Sequence, residues 1–286
     1  MNVLKTGFLL ALLTVLLVFI GQLIGGTQGA VGAFVFALLM NLGVYWFSEK
    51  LVLAMYRAKP LSEQEAPQVY RVVREIASRT GMRMPRLYWI ATRTPNAFAT
   101  GRSPKHAAVA VTSGLLELMN EEELKGVLAH ELSHVQNRDT LVMTIAAAIA
   151  GAIMMLARMA QWTMWFGGSR DNRAGNRGAA ALQLVVLLLI AILAPLAAML
   201  IQLAISRTRE YGADETGARL AGSPYGLATA LEKLHEATKA SPLPHANPAT
   251  AHLFIVNPLS AGAIATLFST HPPVKERVRR LRGMRL

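Results

Sequence analysis

The pentapeptide His130-Glu131-Leu132-Ser133-His134 constrains this chain more than any other feature. Residues four apart on a helix lie one above the other, so the two imidazoles share a face and can hold one tetrahedral metal ion, while Glu131 projects beside them. This is the H-E-x-x-H pattern of zinc hydrolases, in which the glutamate serves as general base. The flanking residues read as a helix: Asn120 is a good N-cap with Glu123 at the third helical position, and Leu124, Val127, Leu128 and Val135 form an apolar stripe. An amphipathic helix with two ordinary polar histidines is the plain alternative, so a third ligand is required before the pattern becomes a site. Cysteine is absent from the 286 residues, which leaves His, Glu and Asp to supply it.

The surrounding chain is too apolar for an ordinary soluble domain, with 53% hydrophobic and only 16% charged residues. Four apolar runs explain this: 7–24, preceded by Lys5; 29–47, interrupted only by Asn41 and ending at Tyr45 and Trp46; 140–162, with Arg158 and Gln161 near its far end; and 179–205, bent at Pro195. Each is long enough to cross a hydrocarbon core of about 30 Å. The first two form a helical hairpin whose aromatic residues sit at an interface. A cleaved signal peptide, the rival reading, would have a shorter apolar core, and 29–33 fits a cleavage site only loosely. The net charge of +12 points to topology and anionic lipid rather than to nucleic acid. Lys5, Lys50, Arg57 and Lys59 flank the first pair of spans on one side, which is therefore the cytoplasmic side.

Between the hairpins lies a water-soluble part. Val69, Val72, Val73 and Ile76 predict an amphipathic helix over 68–78; strands are predicted at 87–91 and 107–112, and the turn-rich connection 92–104 offers an extended edge. The expected fold class is α+β, a mostly helical integral membrane protein with four transmembrane helices and a small β-sheet in its soluble domain. The expected division is 1–52 as a membrane hairpin, 53–139 as the first catalytic segment, 140–205 as a second membrane hairpin, and 206–286 as the remaining catalytic segment.

The third ligand should come from the helix that follows the fourth run, where Glu210 and Asp214 lie four residues apart on one face. His134 precedes the third run by about six residues, roughly 9 Å of helix, and Glu210 follows the fourth by about five, roughly 7 to 8 Å. Two antiparallel helices thus leave the membrane with ligands at matched heights. This accounts for the 76-residue step from His134 to Glu210. Glu215 and Glu117 are weaker competitors. Three protein ligands leave one position for water, as catalytic zinc needs, and Asp214 is placed to orient a histidine.

The residues HELSH from His130, SRTREYGAD around Glu210, NAFATG from Asn96, AHLFIVNP from Ala251 and STHPPVKER from Ser269 resemble, in order along the chain, the HtpX family of bacterial membrane metalloproteases, and more distantly the group that includes the CAAX prenyl-protein endopeptidase. The resemblance implies a gluzincin-like catalytic domain facing the cytosol, one zinc ion on His130, His134 and Glu210, and degradation of damaged membrane proteins or unfolded polypeptides. It also marks Asn96, Ala97, Phe98, Ala99 and Gly101 as the edge that receives substrate. Small side chains at Ala97, Ala99 and Gly101 independently suit the approach of another backbone. His271 resembles the family's histidine near the active site, placed to donate to the oxyanion, and Arg277 is expected to anchor that segment to Asp214 or Glu210.

The expected enzyme is a zinc metalloendopeptidase embedded in the bilayer, using Glu131 as base and open to self-cleavage. A transporter or channel is disfavoured because the apolar runs carry almost no ionisable residues. A binding or regulatory protein with structural zinc is disfavoured because such sites have four protein ligands and no use for a glutamate directly after the first histidine.

Overall fold

The computed structural model describes residues 2–150, 207–240, 251–256 and 272–286. The first element, α1 (Asn2–Met55), is two helical arms joined where Gly25 and Gly26 leave helical geometry, Gly26 at φ 58°. The arms fold back antiparallel. Gly21 packs so closely on Gly29 and Ala33 that a Cβ there would collide with both, and Asn41, the polar interruption of the second run, donates through Nδ2 to Thr14 Oγ1 at 2.8 Å and to Leu10 O at 3.2 Å. An amide in an apolar helix is costly without partners, so this cross-arm pairing fixes the register of the expected hairpin. Among the described residues one helix, Gly25–Met55, is long and apolar enough to cross a membrane. The third run is described only up to residue 150, and the fourth lies outside the described residues.

The soluble part begins with β1 (Lys59–Pro60), α2 (Pro67–Thr80) and β2 (Arg86–Ile90), followed by β3 (Ala97–Gly101), β4 (Ala107–Thr112) and the short α3 (Ser113–Leu118). Next come α4 (Glu121–Gln136), which carries the pentapeptide, and α5 (Asp139–Ala150), an apolar helix. The helices α6 (Arg207–Ala221) and α7 (Tyr225–Ala240), a 3-10 turn (Ala251–Leu253) and α8 (Val274–Arg282) complete the described part. The fold is mostly helical with one mixed sheet, ordered β1-β2-β4-β3, with β2 and β4 parallel and the other pairs antiparallel. Two strands of the four were not marked as such in the sequence. Proline at the second of its two residues masks β1, tolerable because it is an edge, and β3 forms within the turn-rich connection that was expected to offer an edge.

The central strand β4, AAVAVT, is buried throughout, and its period-2 alternation feeds two cores. Ala107, Val109 and Val111 face a core shared with α2, α4, α6, α7 and α8, whereas Ala108 and Ala110 face a second with Val52, Leu53, Phe98 and the apolar side of α5. The α2 stripe Val69, Val72, Val73 and Ile76 is buried as its spacing predicts, each side chain stabilising by about 1.5 to 3 kcal/mol. The sheet therefore stands between helices α2, α4, α6, α7 and α8 on one face and the end of α1 with α5 on the other.

Candidate active site

Helix α4 starts with a complete capping box: Asn120 Oδ1 accepts from Glu123 N at 2.9 Å, and Glu123 Oε2 accepts from Asn120 N at 3.0 Å. This fixes the helix phase that turns His130 and His134 towards α6. The two helices meet closely because residue 217 is glycine: a Cβ there would lie 2.8 Å from His130 Cα. Ser133 closes the same contact, its Oγ donating to His130 O at 2.6 Å and to Ala213 O at 3.2 Å.

The outcome is a buried constellation of His130, His134 and Glu210, whose ligand atoms all lie within 4.8 Å of one another. His134 Nε2 is 3.5 Å from Glu210 Oε1, and His130 Nε2 is 4.0 Å from Glu210 Oε2. Two imidazoles and a carboxylate converging by these atoms fit a zinc ion, with a fourth position left for water. Neither Glu215, exposed in an ion pair with Arg219, nor Glu117 belongs to this constellation.

Each histidine turns its other nitrogen to a carboxylate, the arrangement that orients zinc-binding imidazoles. His130 Nδ1 is 3.0 Å from Asp214 Oδ1, within hydrogen-bonding distance though not well aligned for a hydrogen bond. His134 Nδ1 is 3.4 Å from Asp139 Oδ2. Asp214 was expected in this role and Asp139 was not. The chain leaves α4 after Gln136, and Arg138, whose φ is 58°, swings Asp139 back to His134. Asp139 also pairs with Arg209 Nε at 3.5 Å, tying the ends of the two ligand helices together.

Arg277 is fully buried. It grips Asp214 with two bonds, Nε to Oδ2 at 2.8 Å and Nη2 to Oδ1 at 2.6 Å, which settles its anchor as Asp214 rather than Glu210. Its Nη1 donates to Ile255 O at 3.0 Å. Burial pushes the His130 pKa down to about 4, against the pull of Asp214, so this ring is neutral and ready to ligate. Burial also pulls on His134, but Asp139, Glu210 and Glu131 outweigh it and raise its pKa to about 9. Glu131 is raised to about 8 by burial, with His134 opposing.

Strand β3 is a sheet edge, as expected, and its outer side meets the site. Ala99 N donates to Glu131 Oε2 at 2.8 Å. Phe98 points the other way, packed on Tyr56 and Phe254. Gly101 has φ 133°, and a Cβ there would strike His106 O. The edge already carries a stretch of the chain's own backbone: Ile255 N donates to Ala97 O at 3.2 Å, and Asn96 Nδ2 donates to Val256 O at 2.9 Å. His271 lies outside the described residues.

Residues 63–285 match the family model described as Peptidase family M48. The chain is 59% identical over 280 residues to the "Protease HtpX homolog" of Syntrophobacter fumaroxidans, covering 98% of both chains. It is 55% identical over 278 residues to that of Pyrococcus furiosus, covering 97% of this chain and 94% of the other. Among solved structures, that of S. mikatae Ste24p superposes with a TM-score of 0.50 at 18% identity, covering 96% of this chain. The chain spans 62% of that protein's length, and the likeness is one of fold.

Proposed function

The chain belongs to peptidase family M48 and is a membrane-associated zinc metalloprotease, and from that premise we propose that His130, His134 and Glu210 hold one zinc ion and that Glu131 is the general base. The observation that carries the assignment is the convergence of three buried ligand atoms from two helices within 4.8 Å. Zinc, when bound there, supplies Lewis acidity to a peptide carbonyl and lowers the pKa of a coordinated water to about 7.

The chain's own groups do the rest. Glu131, in its ionised form, takes a proton from the attacking water and returns it to the leaving amine, with its carboxylate aimed by the Ala99 N–H. Asp214 and Asp139 hold the two imidazoles in orientation, and Arg277 holds Asp214. Asn96, Ala97, Phe98, Ala99 and Gly101 form the strand to which a substrate backbone adds. His271 donates to the developing oxyanion. Strand addition reads backbone rather than side chains, which suits unfolded polypeptides and damaged membrane proteins, and extends to other copies of this chain. In this reading 1–52 and 140–205 are membrane hairpins, making four spans, and 53–139 with 206–286 form one catalytic unit in the cytoplasm. A core drawing on α2 and α4 from one segment and on α6, α7 and α8 from the other supports that unit.

Purified full-length protein in detergent should cut casein in the presence of zinc, stop on chelation and recover when zinc is restored. Cleavage that persists through exhaustive chelation would contradict the assignment.

A further inference from the structure

Three observations give strand β3 a direction relative to the bilayer. Trp46 lies inside the apolar helix Gly25–Met55 and Tyr56 just past its end, ten residues or about 15 Å further on, so Trp46 is the nearer of the two to the apolar span. Arg102, just past β3, stacks on the Trp46 ring at 4.2 Å, while Phe98 packs on Tyr56 at 5.7 Å between centroids. The four residues from 98 to 102 span about 13 Å as a strand, matching the step between the two aromatic levels. Independently, the far end of β3 is fastened to α5, the helix that starts the third apolar run: Gly101 N donates to Thr144 Oγ1 at 3.2 Å, and the Thr100 and Thr144 hydroxyls are 3.0 Å apart. Strand β3 therefore runs towards the membrane, past Glu131 at Ala99.

A 3-10 turn (Ala251–Leu253) and the residues that follow it to Val256 meet this edge, with Ile255 N bonding the backbone of β3. The His252 ring reaches Met143 O on α5 at 3.2 Å, Phe254 packs on both Phe98 and Tyr56, Ile255 N meets Ala97 O, and Val256 O meets Asn96 Nδ2. Residues 252–256 thus run from the membrane end of β3 to its distal end, antiparallel to it. Both polar backbone groups of Ile255 are held, N–H by Ala97 O and C=O by Arg277 Nη1. The order of these contacts along β3 gives the polarity that a substrate strand replacing this segment on the edge would share.

We infer that the site takes its substrate in one direction relative to the bilayer: residues before the scissile bond lie on the membrane side, and residues after it point away. The enzyme then cuts a membrane-anchored chain on the C-terminal side of its anchor. The inference rests on the metalloprotease reading above and adds the polarity of its substrate. From Ala99 to Arg102, at the level of Trp46, is three residues or about 10 Å of extended chain. A linker of about four to six residues therefore brings a bond from an N-terminal anchor to Glu131. A chain anchored at its C-terminal end has to pass the site and turn back, which requires roughly 12 or more residues.

The test uses full-length, zinc-loaded protein in liposomes with two single-span reporters that carry the same cleavable casein-derived peptide on the face bearing the catalytic domain. One reporter has the span before the peptide and the other after it, each with linkers of 6, 12 and 30 residues, designed with reference to the spacing above. With the short linker, the reporter anchored on the N-terminal side should be cut at least about tenfold faster, and the difference should vanish at the longest linker. Equal rates at the short linker, or the opposite preference, would overturn the polarity. The free peptide is the control: if it is cut while neither anchored form is, the polarity is wrong, and if it is not cut either, the metalloprotease assignment itself fails.

Discussion

The close approach of α6 to α4 at Gly217 sets the distance between Glu210 and the two histidines, and it can be perturbed by one methyl group. A Cβ at 217 would lie 2.8 Å from His130 Cα and 2.9 Å from His130 N. Carbon atoms in ordinary contact are about 3.5 to 4.0 Å apart, so α6 in Gly217→Ala has to retreat by about 0.7 Å or more. Zinc ligand distances tolerate only about 0.2 Å. The metal-free protein relaxes by letting the helix slide away, and zinc has to draw it back against the methyl group. Overpacking of this kind costs about 1 to 3 kcal/mol, which corresponds to a zinc Kd raised by about 5- to 150-fold. The assay is zinc competition against a chelator of known affinity, with far-UV circular dichroism to show that the helices persist. Gly212 on the same helix has open space around it, so Gly212→Ala should leave the Kd unchanged and stabilise the helix by up to about 1 kcal/mol. If Gly217→Ala binds zinc within threefold of wild type, the claim that this contact sets the ligand spacing is wrong.

Other consequences follow from the same geometry. Asp214→Asn leaves the fully buried Arg277 without its counter-charge, and should cost about 3 to 5 kcal/mol of stability, read as a lower urea midpoint in detergent; an unchanged midpoint would show that Asp214 does not compensate Arg277. His134, at about 9, holds a proton at pH 7 that it must lose to become a ligand, so zinc affinity should rise with pH, about tenfold per unit for each proton released, and level off above pH 9. Calorimetry of zinc binding in buffers of different ionisation enthalpy measures the count directly, and zero protons released at pH 7 would refute it. Self-cleavage predicts that chelator present throughout purification preserves full-length chain, whereas zinc added back at high protein concentration produces fragments on a gel.

The parts of the site that follow helix periodicity were legible in the sequence. His130 and His134 share a face by their spacing, Asn120 and Glu123 announce the capping box, and Glu210 and Asp214 repeat the four-residue step at a matched height. Asn41 stood out as a polar interruption, and its partners Thr14 and Leu10 lie across the hairpin, where no local pattern marks them. Asp139 was hidden because its approach to His134 depends on the positive φ of Arg138 rather than on periodicity. The two residues of β1 carry no pattern of their own, and only pairing with β2 makes them a strand. Nor does the sequence show that Ile255 lies along β3, since it follows Ala97 by 158 positions, and the pairing is decided by Arg277 and Asn96, which hold the segment by its backbone.

The central claim, a catalytic zinc on two histidines and a distant glutamate with Glu131 as base, is tested most directly by measuring bound zinc and casein cleavage together on wild type, Glu131→Gln and Glu210→Ala. One zinc per chain is expected in wild type and Glu131→Gln and little or none in Glu210→Ala, with full cleavage by wild type, cleavage by Glu131→Gln slower by about 10²- to 10⁴-fold, and none by Glu210→Ala. Full zinc occupancy in Glu210→Ala, or normal cleavage by Glu131→Gln, would contradict it.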